Sequence, residues 1–220
     1  MAWQALYVTL KLAFITTAVL IVIAAPLAYF FAYRRFPGKF MLEALISLPM
    51  ALPPTVIGYY LVILMGPKGA IGSAWNAATG GSLLFTFLGI TMASCLYSIP
   101  FAVQPMKAAF QRIDYRLLES AYVLGLSRWA TFIRVVIPNS TTSIAAAAIL
   151  VFLHSMGAFG VLLMVGGSIP GQTKVASIAI YEAVEMLNYR EANMLSLLFL
   201  PISYLFLLLV NRLNSSASAG

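Results

Sequence analysis

The sequence predicts an all-α fold, a polytopic bundle of five transmembrane helices with a helical loop on the cytoplasmic side. Two observations carry this. Hydrophobic residues make up 62% of the 220 and charged residues only 9%, against roughly a quarter charged in soluble domains, so a soluble core could not absorb the apolar surface. The charges are also absent from long runs, at 12–33, 44–66, 69–106, 135–171 and 192–211, several of which exceed the roughly 20 residues a helix needs to cross hydrocarbon.

Taken in order, the spans are expected at about 10–33, 41–65, 83–106, 140–165 and 192–212. The first is too long for a signal peptide and has no small-residue cleavage site after it. The second contains Pro49, Pro53 and Pro54, which remove backbone donors and must break or kink a helix. Freed carbonyls are tolerated at membrane depth only under protein or beside water, so 48–55 is expected to face inward. The third holds Cys95, the only cysteine, which excludes a disulfide within the chain and reads as a small buried hydrophobe. No linker or repeat divides the chain, giving one transmembrane domain over 1–214 and a low-complexity, disordered tail over 215–220.

Basic residues fix the expected orientation. Arg34, Arg35 and Lys39 follow span one; Lys107, Arg112, Arg116, Arg128 and Arg134 follow span three; Arg212 follows span five. The remaining loops carry Lys68 alone, or Lys174 and Arg190 among Glu182, Glu185 and Glu191. Cytoplasmic loops hold the Lys/Arg excess, which predicts an outside N-terminus and a cytoplasmic C-terminus. The net charge of +7 is then topology and attraction to anionic lipid, not nucleic-acid binding.

The loop 108–138 is the most informative segment. Asp114 is a suitable N-cap and Gly125 a suitable left-handed C-terminal residue. Between them Leu117, Ala121 and Leu124 share a face, with Leu118 and Tyr122 beside it. Ser127 can cap a second short helix through Trp129 and Phe132, and Pro138 marks the turn into span four. By pattern alone this pair could equally be an interfacial hairpin resting on headgroups.

Glu119-Ser120-Ala121, three residues, Gly125, nine residues, then Val135-Val136-Ile137-Pro138 resembles the EAA motif of ABC importer permeases, with matching spacing and conservative departures at Ser120, Val135 and Ile137. The resemblance extends to Pro26-Leu27-Ala28-Tyr29, Arg35-Phe36-Pro37-Gly38-Lys39, Leu52-Pro53-Pro54-Thr55 with Val56-Ile57-Gly58-Tyr59, and 167–173 with Ala179-Ile180-Tyr181. These look like the oxyanion branch of that family, above all molybdate permeases, with tungstate and sulfate permeases near. That branch carries Gly-Glu-Phe-Gly in span four, where this chain reads Gly157-Ala158-Phe159-Gly160.

The resemblance implies a type I importer permease in a bacterial or archaeal inner membrane. Asp114, Leu117, Leu118, Glu119, Ser120, Ala121, Leu124, Gly125 and Pro138 would form the coupling loop against an ATPase. Pro53, Pro54 and Thr55, with Gly157, Ala158, Phe159 and Gly160, would line the path or its gate. It further implies a homodimer, two cytoplasmic ABC ATPase subunits, an extracytoplasmic oxyanion-binding protein and contact with membrane lipid, with no cofactor or metal in this chain.

Weaker signals give no other chemistry. The 166–173 stretch has the glycine spacing of a phosphate loop, but Gln172 stands where lysine is needed and no strand precedes it. His154, the only histidine, reads as a hydrogen-bonded interior residue, with a pathway role as the alternative. Gly157 and Gly160 would permit close helix packing or line a gate. Thr16, Thr17, Ser94 and Ser98 would satisfy their own helix carbonyls. No carboxylate falls mid-span, which disfavours an ion-coupled secondary transporter, and no acid/base or metal cluster suggests a membrane enzyme.

Overall fold

The computed structural model describes residues 2–218, with side chains from 3 to 212. All regular elements among them are helical. The helices are α1 Ala2–Tyr33, α2 Lys39–Ala51, α3 Pro54–Met65, α4 Ala70–Thr79, α5 Phe87–Gln111, α6 Tyr115–Val123 and α7 Arg128–Thr131. A π-helical turn, Phe132–Val136, leads into α8 Ile137–Asn139, α9 Thr141–Gly157, α10 Gly160–Gly166, α11 Ala176–Glu185 and α12 Tyr189–Ser218. The tail expectation at 215–220 falls on the last turn of α12 and on residues outside the described set.

Three helices are long and apolar enough to cross a membrane unaided, Trp3–Tyr33, Phe87–Gln111 and Tyr189–Arg212. The other two expected spans are broken. α2 and α3 meet at 113°, because the adjacent Pro53 and Pro54 deny N–H donors to the carbonyls four residues before them. Pro53 instead becomes the N-cap of α3 and Pro54 its first residue, where a missing N–H costs nothing. Pro49 stays inside α2, so the break lies at 52–53 and not at all three prolines. The fourth span, expected unbroken over 140–165, is interrupted at Ala158 and Phe159 between α9 and α10.

Contacts at the helix ends show how the passes alternate. Tyr33 donates to the carbonyl of Phe110 at one end of α1 and α5, and the Lys11 ammonium stands 4.5 Å over the Phe87 ring at the other, so these helices are parallel. The α2–α3 pair runs against α5. Glu43 pairs with Lys107 at 2.7 Å, Gln104 donates to Ser47 at 2.6 Å, and Leu61 and Met65 pack with Leu83 and Leu84 just before α5. α9 runs against α1, from Val136 and Ala147 in the cluster of Phe110 to Phe152 beside Phe14. α12 returns, with Leu195 packed on Ala5 and Phe206 on Phe152. The bent α2–α3 pair therefore leads from one end of α5 to the other.

The tightest packing is the seam of α1 with α5 and α9. Ala24, Ala28, Ala102, Met106, Ala147 and Val151 are fully buried there, small residues letting helix axes approach where lipid supplies no hydrophobic drive. Cys95 packs against the same cluster as a partly buried apolar group. Thr17 donates to Ala13 as expected, but Ser98 bonds across the bundle and the buried Ser94 hydroxyl has no hydrogen-bond partner among the described residues.

Candidate coupling loop and translocation path

The coupling loop is built by local capping. Asp114 accepts from the Arg116 amide at 3.0 Å and opens α6. At its other end the Leu126 amide donates to the Ala121 carbonyl and the Gly125 amide to that of Tyr122, the paired bonds of a Schellman motif. Gly125 has φ +83°, which a β-carbon strongly disfavours. Ser127 then caps α7 through the Ala130 amide at 3.2 Å.

The apolar face of α6 departs from the expectation. Leu118 and Ala121 are buried, whereas Leu117 is 48% and Leu124 79% exposed. The helix turns Leu118 toward Phe110, Phe132 and Val136. Leu117, Ser120 and Leu124 consequently form an outward stripe beside the exposed Glu119, which has no ion-pair partner among the described residues. The loop thus shows an apolar stripe beside an exposed carboxylate.

Sequence reasoning placed Phe132 on the second short helix but gave it no role. Its ring is buried and touches Tyr29 of α1 at 4.9 Å, Trp129 at 5.2 Å and Phe110 of α5 at 6.4 Å. It begins the π turn, in which the Ile137 amide reaches back to the Phe132 carbonyl. Pro138 explains the turn: its ring would clash with the Arg134 carbonyl in α-helical register and offers it no donor. Just past Pro138 the chain bends by 79° into α9. Phe132 thus packs the loop directly against α1 and α5.

The two span breaks face each other. A β-carbon on Gly160 would lie 3.3 Å from the Pro54 β-carbon and 3.9 Å from the Thr55 methyl, so the absent side chain admits the start of α3. One turn on, Gly58 lies under Met164. At the α9–α10 break the freed Ala158 carbonyl accepts from the Ser177 hydroxyl at 2.7 Å, satisfying a group hydrocarbon would penalise. Nothing in the sequence singled out Ser177. Pro53, Pro54, Thr55 and Gly157 are exposed in the single chain, Phe159 and Gly160 are half-buried, and Ala158 is buried. Ala158 packs with Val8, Leu12, Ile90 and Leu162 and so lies behind the exposed surface of the breaks.

The remaining candidates are structural. His154 Nδ1 lies 2.9 Å from the Ser98 hydroxyl, and its ring stacks on Phe101. The phosphate-loop lookalike is a turn closed on itself: buried Thr173 donates to the Gly166 carbonyl at 2.6 Å and accepts from the Ile169 amide at 3.1 Å, leaving no amide nest. Glu182 is ion-paired with Lys174. Partial burial raises its pKa, but Lys174 and Ser168 outweigh that and hold the carboxyl below its usual range.

Residues 21–217 match the family described as the binding-protein-dependent transport system inner membrane component. The chain belongs to that family. It is a multi-pass permease subunit of an ABC importer and not an enzyme, the ATPase of such systems being a separate chain. The permease is 43% identical to the molybdenum transport system permease protein ModB of Azotobacter vinelandii, over 87% of this chain and 85% of that one. It is 33% identical to the sulfate transport system permease protein CysT of Escherichia coli K12, over 94% of this chain and 75% of that one. Its fold is similar to a bacterial alginate ABC importer solved by crystallography, with a TM-score of 0.73 at 17% identity, covering 98% of this chain and 78% of that chain.

Proposed function

We propose that two copies of this permease form the translocation path of an oxyanion importer, that molybdate is the anion carried, and that the facing breaks at Pro54 and Gly160 border the path. The observation that carries the substrate reading is the extended identity with the Azotobacter molybdenum permease. Tungstate and sulfate are the alternatives, sulfate favoured by the long match to CysT.

The partners follow from surfaces the single chain leaves open. Segment 48–55 is largely exposed although its proline-freed carbonyls need shelter at membrane depth, which a second copy across a two-fold axis supplies. The stripe of Leu117, Ser120 and Leu124 with Glu119 suits the groove of a cytoplasmic ATPase, one per permease. ATP-driven approach of the ATPases would carry both coupling helices as rigid bodies, and Phe132 would pass the displacement to α1 and α5. An extracytoplasmic binding protein supplies tight recognition, so the spans need no fixed cation. The membrane is the inner membrane of a bacterium or archaeon, with the N-terminus outside and the C-terminus cytoplasmic, the end holding Arg34, Lys107 and Arg128 facing in.

Uptake of labelled molybdate, tungstate and sulfate by cells carrying this permease with its cognate binding protein and ATPase tests the reading. Molybdate uptake abolished by unlabelled molybdate and tungstate, and little affected by sulfate, is expected. Uptake of sulfate alone would replace molybdate with sulfate.

A further inference from the structure

A cavity of about 1210 Å³ opens between the inner end of α1, the start of α2 and the α6–α7 loop. Its rim carries Arg34, Arg35, Lys39 and Arg128, and no acidic residue lines it. Lys39 lies 3.7 Å from Glu43, which Lys107 approaches more closely. Arg34, Arg35 and Arg128 have no carboxylate partner among the described residues. Below the rim the wall changes character: Pro26 and Phe30, one to two turns deeper on α1, are apolar and lie within the span. On the loop side Leu118, Tyr122 and Trp129 close it.

We propose that this cavity binds one anionic phospholipid, its phosphate held by Arg35 and Arg128 at the rim and its chains running down α1 past Phe30. Three features select that ligand. The rim supplies several guanidinium groups of one sign with none neutralised, and guanidinium matches phosphate oxygens in a bidentate way. Beside the Tyr29 and Tyr33 hydroxyls, the α1 wall carries the apolar Pro26, Phe30 and Ala32, surface that a free oxyanion cannot use and an acyl chain can. Tyrosine and tryptophan stand at the boundary between the two, the depth these side chains prefer at a bilayer surface. The site uses the opposite side of α6 from the stripe of Leu117 and Leu124, so an ATPase and a lipid can be held together. Bound there, the lipid would bridge the coupling loop to α1 and stiffen the contact through which motion passes.

The inference rests on the permease reading only in setting this end of the bundle at the cytoplasmic surface, and its test reads lipid retention and not transport. Native mass spectrometry of the purified full-length protein, delipidated and titrated with phosphatidylglycerol or phosphatidylcholine, is the measurement. Phosphatidylglycerol should be retained at least about tenfold more strongly. Arg35→Gln with Arg128→Gln should weaken that retention, by about fivefold for each arginine removed, while Lys68→Gln on the opposite face leaves it unchanged. Equal retention of the two lipids, or no effect of the arginine pair, would overturn the proposal. Displacement of phosphatidylglycerol by millimolar inorganic phosphate would also overturn it, assigning the rim to a free anion.

Discussion

Gly160 stands so close to Pro54 that a single added carbon would come within 3.3 Å of the proline ring. Two helices broken for different reasons therefore share one point. α3 starts there because two prolines forbid continuation, and α10 starts there after Ala158 hands its carbonyl to Ser177.

Gly160→Val should push α3 from α10. Overpacking of this kind typically costs about 1–3 kcal/mol. Oxyanion uptake should fall several-fold at equal membrane abundance, with Gly160→Ala intermediate because its one carbon needs only a small shift. Uptake by Gly160→Val equal to that of the unaltered permease would show that the two breaks do not work as a unit.

At Gly125 no neighbour opposes a β-carbon, so a substitution there acts through the backbone alone. Gly125→Val should strain the Schellman turn by on the order of 1 kcal/mol or more and tilt α6. Binding-protein-stimulated ATP hydrolysis should drop in the assembled complex, whereas Gly125→Asn, tolerant of positive φ, should retain most of it. The two variants behaving alike would remove the conformational explanation.

The alternation of passes sets a topology test. Ser73 on α4 and Ser127 before α7 are both exposed and belong to opposite ends of the bundle. In a Cys95→Ala background, cysteines at these positions should react with a membrane-impermeant reagent from opposite sides, Ser73 from outside. Reaction from one side only would mean that a bent helix pair turns back instead of crossing.

Much of this architecture was legible in the sequence because it depends on local chemistry. Capping by Asp114 and Ser127, the left-handed Gly125, the break near Pro53 and the three long apolar helices each follow from one residue type or one run. The rest depends on which elements meet. Amphipathic spacing placed Leu117, Ala121 and Leu124 on one face, yet only the packing of Phe110 and Phe132 decides that Leu118 turns inward and Leu117 outward. Glycines 157 and 160 hinted at a special site in span four, but the break between them is held by Ser177 from another helix. Ala158, expected in the path, is buried in the single chain, since the break turns its side chain toward α1, α5 and α11.

On the proposed function, the facing breaks border a water-filled path whose exposure the coupling loop controls. The most direct measurement places a cysteine at Thr55 in the Cys95→Ala background and follows its reaction with a small water-soluble thiol reagent, with and without ATP trapped on the ATPase partners. Thr55→Cys should react, and its rate should change several-fold between the two states. A cysteine at Leu207, on the lightly packed α12, should stay inert as a lipid-facing control. Inertness at Thr55 in every nucleotide state, alongside normal uptake, would contradict the claim and reduce the breaks to a packing kink.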